Sequence, residues 1–264
     1  MPAKKPHNTV VAAIPARYAS SRLPGKPLLD IAGRPMIQHV YTRAASAPGV
    51  DRVVVLTDDE RILEAVRGFG GECEMTPEDC RSGTDRIAYA ARGWDAAAVV
   101  NVQGDEPLID PEAVGAIADF LRRNPTAPMV TLASPAKLEE LEDPHAVKVV
   151  TDLQGDALYF SRSRIPFPRD STAATALKHI GIYGYQKDAL LRLAAFEPTP
   201  LEKSESLEQL RALENGIRIR VLQVSGSEPG VDTAEDLRRV AARLALLHQT
   251  TGSPGPPDSS EQES

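Results

Sequence analysis

The chain has 264 residues, of which 42% are hydrophobic and 25% charged, a composition typical of soluble proteins with a full core. Its net charge of −7 argues against a nucleic-acid partner, because such partners need a broad basic surface. No apolar run reaches membrane-spanning length and no signal peptide is recognisable, so we expect no membrane partner and a cytoplasmic location. Cys73 and Cys80 match no zinc or redox spacing and are predicted to be reduced thiols.

A basic loop follows the first apolar run, at 10–14. It places Arg17, Arg22 and Lys26 among Pro, Gly and Ser residues, which favour turns. Because ligands of α/β proteins bind outside the carboxyl ends of strands, three cations there indicate an anion, most simply a nucleotide triphosphate. A solvated basic loop without a ligand is the alternative.

The first half of the chain alternates predicted strands with predicted helices. The strands cover 10–14, 52–57, 71–75, 97–103 and 129–133, and helices cover 35–45, 60–69, a segment ending near 93, and 111–123. Asp110 is the predicted N-cap of the last of these helices. This alternation predicts an α/β fold with a doubly wound, mostly parallel sheet.

The pattern changes at about residue 145. Predicted strands at 146–150, 157–160 and 180–185 have little helix between them, which indicates an antiparallel insertion at about 145–186. We expect this insertion to form a second substrate wall or an oligomer surface.

The rest of the chain returns to alternation. Predicted helices cover 187–196 and 199–215, then a strand covers 217–224 and a last helix covers 232–248. The predicted domain is therefore 9–248, with a flexible N-terminus at 1–8 and a disordered tail at 249–264.

Two carboxylates stand at positions suited to a cation. Asp105 follows an apolar strand, while Asp232 is a second ligand, an N-cap whose capping box is completed by Glu235, or both. Magnesium prefers one or two carboxylates together with phosphate oxygens and water. No G-x-G-x-x-G follows the first strand and Gly25-Lys26 lacks the rest of a P-loop, so a Rossmann dehydrogenase and a P-loop kinase are disfavoured.

Two polar clusters remain open between ligand contacts and ordinary loop or packing roles. They are Arg81, Ser82 and Arg86 in one loop, and His179 at a strand start near Arg162, Arg164 and Lys178. An acidic substrate would suit the second cluster.

Six motifs, in this order, closely resemble the 3-deoxy-manno-octulosonate cytidylyltransferase (CMP-Kdo synthetase) family. They are Ile-Pro-Ala-Arg-Tyr-Ala-Ser-Ser-Arg-Leu-Pro-Gly-Lys-Pro at 14–27, Asn-Val-Gln-Gly-Asp-Glu-Pro at 101–107, Ala-Leu-Tyr-Phe-Ser-Arg at 157–162, His-Ile-Gly-Ile-Tyr-Gly-Tyr at 179–185, Leu-Glu-Gln-Leu-Arg at 207–211 and Gly-Val-Asp-Thr at 230–233. The resemblance runs from about Val10 to Leu247. It implies a nucleotide-diphospho-sugar transferase-like fold and the transfer of CMP from CTP to 3-deoxy-D-manno-octulosonate (Kdo), with release of pyrophosphate, for lipopolysaccharide biosynthesis.

The resemblance also implies roles for particular residues. The triphosphate ligands would be Arg17, Ser20, Arg22 and Lys26, with Arg22 and Lys26 near the departing pyrophosphate. The cytidine ligands would be Ser82, Gly83 and Arg86, and the Mg²⁺ ligands would be Asp105 and Asp232. The Kdo pocket would contain Gln103, Arg162, His179, Tyr183, Glu208 and Gln209. Lys26, Arg22, Asp105 and Asp232 would carry the catalysis. We expect a homodimer formed through the insertion.

Arg164 departs from the family pattern, in which relatives usually carry a smaller or neutral residue, so a different sugar preference is an alternative. The same reaction on 8-amino-Kdo or a sialic acid therefore stays open. A non-catalytic module that binds a nucleotide sugar is a further alternative, and turnover distinguishes it from an enzyme.

Overall fold

The computed structural model describes residues 8–19, 23–169, 176–226, 228 and 230–251. Most of the predicted flexible N-terminus and the tail beyond 251 lie outside these residues, as do Ser20 and Arg22 of the basic loop. Residues 249–251, predicted as tail, belong to the last helix.

Strands and helices alternate along much of the described chain. The strands are β1 Val10–Pro15, β2 Asp30–Ile31, β3 Arg34–Pro35, β4 Arg52–Thr57, β5 Cys73–Met75, β6 Ala98–Asn101, β7 Met129–Pro135, β8 Lys148–Thr151, β9 Ala157–Ser161, β10 Leu177–Gln186 and β11 Ile219–Gln223. The helices are α1 Met36–Ala45, α2 Glu60–Gly68, α3 Gly83–Ala91, α4 Pro111–Arg123, α5 Lys187–Ala194, α6 Pro200–Glu205, α7 Gln209–Glu214 and α8 Ala234–Thr251, and short 3-10 turns cover Lys26–Leu28 and Leu138–Glu140.

The main sheet has the strand order β11-β7-β10-β6-β1-β4-β5. β1 runs parallel to β4 and β6, β4 is parallel to β5, and β7 is parallel to β11. The predicted mostly parallel α/β sheet is confirmed, and the carboxyl ends of its parallel strands form a crevice.

β10 is antiparallel to both of its neighbours, β6 and β7. Tyr183 pairs with Asn101 at the end of β6, and Leu177 pairs with Pro135 at the end of β7. The amino-terminal half of β10 therefore lies at the crevice. The hairpin of β8 and β9 is attached there, since β8 pairs with β10 at Leu177 and Lys178.

Apolar residues cover both faces of the sheet, as is typical of parallel strands covered by helices. Val10 and Ile14 of β1 face a core that includes Ile37 of α1 and Ile117 of α4. Val11 faces the opposite core, which includes Ile87 of α3, Leu190 of α5 and Leu210 of α7.

The predicted helix over 199–215 is wrong in one respect, because the structure divides it into α6 and α7. Ser206 has φ 52°, in the left-handed region, which ends α6. The start of α6 is as predicted, since Glu202 Oε2 accepts a hydrogen bond from the Thr199 backbone at 3.0 Å. Among the described helices, none is long and apolar enough to cross a membrane.

Gly184 lies where α4 packs on the sheet and provides a test of this packing. A Cβ at Gly184 would lie 2.3 Å from Ile117 Cγ2, whereas a Cβ at Gly181 on the same strand would have nothing within 4 Å. We expect Gly184→Ala to lower the free energy of unfolding by about 1–3 kcal/mol, because the core must shift. Gly181→Ala should change it by less than about 0.5 kcal/mol. Urea denaturation compares the two, and equal losses would contradict the packing described.

Candidate active site

The loop after β1 folds back and brings Lys26 into the crevice. The Gly25 backbone donates to the Tyr18 carbonyl at 2.9 Å, and Gly25 has φ 69°, which favours glycine. A Cβ there would lie 3.1 Å from the Tyr18 ring, over which the Arg61 guanidinium stacks. The turn therefore requires glycine and determines where Lys26 begins the next helical turn.

A cavity of about 350 Å³, the loop cavity, lies under this loop. Its polar lining consists of Arg17, Lys26, Gln103 and Asp105. Arg17 also donates a hydrogen bond to the carbonyl of Cys80, in the loop before α3. Two predicted triphosphate ligands and one predicted metal ligand are thus brought together.

Lys26 joins two carboxylates from distant parts of the chain. Its Nζ lies 2.6 Å from Asp105 Oδ2 and 3.3 Å from Asp232 Oδ1. The Lys26 side chain is only 13% exposed, so solvent screens its charge less than at the surface. The Val231 backbone also donates to the Asp105 carbonyl at 2.9 Å, which holds the two loops together independently of charge.

The predicted capping box of Asp232 and Glu235 is wrong. Thr233 Oγ1 accepts from the Asp236 backbone at 3.1 Å, and Asp236 Oδ2 accepts from the Thr233 backbone at 2.9 Å. This reciprocal pair is a capping box one residue later than predicted. The carboxylate of Asp232 is directed instead to Lys26.

Asp105 and Asp232 are the residues best placed to hold a cation. Two carboxylates that already share one ammonium match the donor set of Mg²⁺, which completes its shell with phosphate oxygens and water. In the part of the chain that the structure describes, no group of three or more His, Cys, Asp or Glu residues could hold a metal ion. Phosphate oxygens and water would supply the remaining ligands of such a site.

A second cavity, of about 500 Å³, lies beside β10 and is named the strand cavity. Its lining includes His179, Tyr183 and Gln209, three of the predicted sugar ligands. Glu106 belongs to its wall, while Asp105 belongs to the wall of the loop cavity. The two cavities are therefore neighbours, separated by the segment that follows β6.

Gln209, which contributes to the wall of the strand cavity, has a buried side-chain donor. Its side-chain Nε2 has no hydrogen-bond partner among the described residues, although Gln209 is only 4% exposed. A buried amide without a partner is costly, and its cost is removed when a ligand supplies an acceptor. A ligand rich in oxygen atoms would therefore suit this cavity.

His179 is neutral in this structure and its proton can be assigned. Burial lowers the pKa of His179 to about 3. Its Nε2 lies 2.9 Å from Thr131 Oγ1, whose own proton is donated to the Ile182 carbonyl at 2.8 Å. This arrangement suits a tautomer in which Nε2 donates to Thr131 and Nδ1 is the acceptor of the ring. Burial also raises the pKa of Tyr183 well above its usual value.

Glu208 is held by the first turn of α3. Ser82 Oγ donates to Glu208 Oε1 at 3.0 Å, and Thr84 Oγ1 donates to Glu208 Oε2 at 2.9 Å. Burial raises the pKa of Glu208. The neighbouring Gly83 packs tightly on the end of β1, because a Cβ there would lie 3.1 Å from Pro15 Cγ.

Arg86 and Arg162, two predicted ligands, line neither cavity, and the same is true of Ser82, Gly83 and Glu208. Arg86 has no exposed surface and its guanidinium contacts Asp58 and Thr76. Arg162 donates to the carbonyls of Glu205 and Pro144, at 2.7 and 2.9 Å. In this structure both arginines hold the surrounding loops, and direct contact with a ligand would require them to leave these partners.

Glu106 lines the strand cavity although no sequence pattern indicated it, and Lys178, whose role the sequence left open, lines it as well. Burial, with the charge of Asp105 beside it, raises the pKa of Glu106 to about 8. Lys178 Nζ lies 2.5 Å from Glu140 Oε1 at the same cavity. The carboxylate pair at 105–106 was visible in the sequence, but the opposite directions of its two side chains were not. Arg164, which departs from the family pattern, pairs with Glu142 at 2.9 Å.

Comparison with known proteins gives a consistent result. A model of the cytidylyltransferase family matches residues 11–219. The 3-deoxy-manno-octulosonate cytidylyltransferase of Syntrophotalea carbinolica is 53% identical over 249 residues, which cover 90% of this chain and all of that protein. The protein of the same name from Escherichia coli is 48% identical over 235 residues, which cover 89% of this chain and 96% of the relative.

Solved structures agree. The structure of a CMP:2-keto-3-deoxy-manno-octonic acid synthetase complexed with CTP superposes with a TM-score of 0.88 at 48% identity, covering 90% of this chain and 99% of the other. A cytidylyltransferase from Leptospira borgpetersenii has a TM-score of 0.61 at 16% identity, with 93% of this chain and 95% of the other covered, which shows a shared fold.

Proposed function

The chain belongs to the 3-deoxy-manno-octulosonate cytidylyltransferase family, and we propose that it transfers CMP from CTP to Kdo, releasing pyrophosphate, for lipopolysaccharide biosynthesis. The observation that carries this proposal is the arrangement of the two cavities on either side of residues 105 and 106. A nucleotide in one cavity and a sugar acid in the other would meet at this segment. Transfer between them then requires no movement of either ligand across the protein.

The loop cavity suits the triphosphate of CTP. Arg17 and Lys26 supply positive charge in a protein whose net charge is −7, so the attraction for an anion is local. Ser20 and Arg22, from the same loop, remain predicted ligands outside the described residues. Ser82 and Gly83, at the start of α3, remain the predicted contacts of the cytidine.

The strand cavity suits Kdo. Nδ1 of His179 and the amide of Gln209 offer an acceptor and a donor to the hydroxyls of the sugar. Gln103 lines the loop cavity, so we expect it to contact the side of the sugar nearest the phosphates. Lys178, which pairs with Glu140 in this structure, would pair with the carboxylate of Kdo when the sugar binds.

The reaction needs two anions to be positioned rather than a protein nucleophile. The anomeric hydroxyl of Kdo attacks the α-phosphorus, a P–O bond to the sugar forms, and the bond to pyrophosphate breaks in line. Lys26, held beside Asp105, would neutralise the charge that develops on the leaving group.

We propose Mg²⁺ as the cofactor, held by Asp105 and Asp232. The support is the fit of two carboxylates that already share one cation, the ammonium of Lys26. When bound, Mg²⁺ would neutralise phosphate charge and lower the pKa of the attacking hydroxyl. We also place the reaction in the cytoplasm, where nucleoside triphosphates are available.

A homodimer formed through the insertion is a further part of the proposal. Large apolar side chains are exposed along it, with Leu153 fully exposed, Leu158 62% exposed and Phe167 84% exposed. Exposed large apolar side chains are often found where proteins associate. The same insertion carries one wall of the strand cavity, so dimerisation would support that wall.

The sugar preference is tested by measuring pyrophosphate release from CTP and Mg²⁺ with Kdo, 8-amino-Kdo and N-acetylneuraminate. We expect kcat/KM for Kdo to exceed each of the others at least about tenfold, since buried polar groups discriminate between acceptors. No release with Kdo would refute the proposed function. Saturable binding of CTP and Kdo without turnover would indicate a binding module.

The role of Asp105 and Asp232 as metal ligands is tested by comparing their variants with a variant of the neighbouring capping residue, Thr233. Asp105→Asn and Asp232→Asn should each lower kcat about a hundredfold or more while the protein remains folded, because each removes one of the two metal carboxylates. Thr233→Ala should lose about 1 kcal/mol of stability, because it removes the N-cap, and retain most of the turnover. Near wild-type turnover of either Asp variant over a Mg²⁺ titration would contradict the metal assignment.

The proposed dimer is tested by measuring the mass of the protein by light scattering as it elutes from a size-exclusion column. We expect the wild type to have the mass of two chains, and Leu158→Glu with Phe167→Glu to have the mass of one, because a buried charge without a partner is costly. Met75→Glu is the control, since Met75 is 42% exposed on the edge strand β5 and should remain dimeric. A monomeric wild type would contradict the proposed dimer.

A further inference from the structure

A completely buried lysine lies at the open end of the hairpin of β8 and β9. Lys148, the first residue of β8, pairs in register with Ser161 at the end of β9, and its side chain has no exposed surface. Its Nζ donates to the carbonyl oxygens of Asp143 at 2.9 Å and Arg162 at 2.6 Å. Lysine is rarely buried in this way, because removing its charge from water is costly. Both acceptors are backbone oxygens, so the ammonium fixes the course of two chain segments.

The first of these segments, residues 143–146, is named the wall segment. Asp143, His145 and Ala146 line the strand cavity. The wall segment belongs to no helix or strand, and the Asp143 carbonyl that binds Lys148 also accepts from the Ala146 backbone at 3.2 Å. Because a turn of this kind has few backbone hydrogen bonds of its own, its position depends on individual contacts. The bond from Lys148 is one of them.

The second segment leads to another part of the cavity wall. Arg162 Nε donates to the Glu205 carbonyl at 2.7 Å, its Nη2 donates to the Ser206 carbonyl at 3.4 Å, and its backbone donates to Glu205 Oε2 at 3.0 Å. An arginine at the end of a helix satisfies carbonyls that the helix leaves without a partner. Leu207 and Gln209, which line the cavity, come directly after these residues. The place of Arg162 therefore determines how the chain enters α7.

Lys148 and Arg162 together form a clasp between the two parts of the wall. Lys148 binds the carbonyls of Asp143 and Arg162, while Arg162 Nη1 donates to the Pro144 carbonyl at 2.9 Å. The wall segment is thus tied to the end of β9 by two cations. Were the Arg162 side chain to leave these partners for a ligand, the bond from Lys148 to the Arg162 backbone would still join the two parts.

We propose that Lys148 is a positioning residue for the sugar acid, and that its ammonium holds the wall segment and the entry to α7 in the arrangement that the acceptor binds. The proposal rests on the proposed function, which assigns the strand cavity to the sugar acid. Lys148 does not line that cavity, so it acts through Asp143 and, by way of Arg162, through Gln209. A wall that lacked this contact would have to be ordered when the sugar binds, at an entropic cost. The loop cavity includes neither residue of the clasp, so nucleotide binding should not change.

Steady-state kinetics with Lys148→Met test the proposal, because methionine removes the ammonium and keeps a long, adaptable side chain. Pyrophosphate release is measured with Kdo varied at saturating CTP, and with CTP varied at saturating Kdo. We expect the KM for Kdo to rise about tenfold, with kcat and the KM for CTP within about threefold of wild type, since binding of the sugar alone is weakened. A KM for Kdo that rises less than about threefold, or an equal rise in both KM values, would overturn the proposal.

Arg220→Met is the matched control for a general loosening of the hairpin. Arg220 Nε lies 2.6 Å from Asp156 Oδ1, at the opposite end of the same hairpin, and neither residue lines the strand cavity. Loss of this ion pair should lower stability and leave the KM for Kdo within about twofold of wild type. A rise in the KM for Kdo equal to that of Lys148→Met would overturn the specific role of Lys148.

Glu205→Ala provides a second test, which decides the question where Lys148→Met does not fold. The Glu205 carboxylate accepts from Ser161 Oγ at 2.7 Å and from the Arg162 backbone at 3.0 Å, so its removal loosens the same clasp from the side of α6. We expect the KM for Kdo to rise at least about threefold while the KM for CTP stays unchanged. An unchanged KM for Kdo in folded Glu205→Ala would contradict the clasp.

The positioning role and the proposed function fail in different ways. Unchanged KM values for Kdo in the variants, while the wild type releases pyrophosphate, would overturn the role of Lys148 alone. Absence of pyrophosphate release from the wild type with CTP and Kdo would overturn the proposed function. In that case calorimetric titration of Kdo into the wild type and Lys148→Met still tests the clasp, and equal Kd values would overturn it.

Discussion

The contact of one ammonium with two carboxylates is the constraint on which the crevice depends. Lys26 is separated from Asp105 by 79 positions and from Asp232 by 206, yet it contacts both. The backbone bond from Val231 to Asp105 fixes the same two loops. Much of the chain lies between these contacts, so they join the basic loop, the end of β6 and the start of α8, which are far apart in the sequence.

The sheet could be predicted because its signals are local. Apolar runs such as 52–57 indicate buried strands in any context, and Asp110 caps its helix through the Glu112 backbone as predicted. The division of the helix at Ser206 could not be predicted, because serine has no strong preference for a positive φ. Tertiary contacts decide it: the Glu205 carboxylate accepts from Ser161 and from the backbone of Arg162.

The family could be predicted because six motifs in order are specific, and the comparisons confirm it. The positions of individual side chains were harder to predict from the sequence. Asp232 and Thr233 are both good capping residues, and only the geometry shows that Thr233 and Asp236 form the box. Arg86 belongs to a motif of polar residues but is fully buried against Asp58, a partner 28 positions earlier that no spacing rule indicates.

Because β10 runs antiparallel to its neighbours, the loops on the two sides of the crevice are attached to the sheet in different ways. The parallel strands reach the crevice with their last residues, so their loops there are tied to the helices that follow. β10 reaches it with its first residues, and the hairpin of β8 and β9 is attached at that end. Val149 of β8 and Phe160 of β9 are buried in the core, whereas His145 and Ala146, just before β8, line the strand cavity and His145 is exposed. Changes in this short segment would therefore alter one side of the crevice with less effect on the core than changes in the hairpin itself.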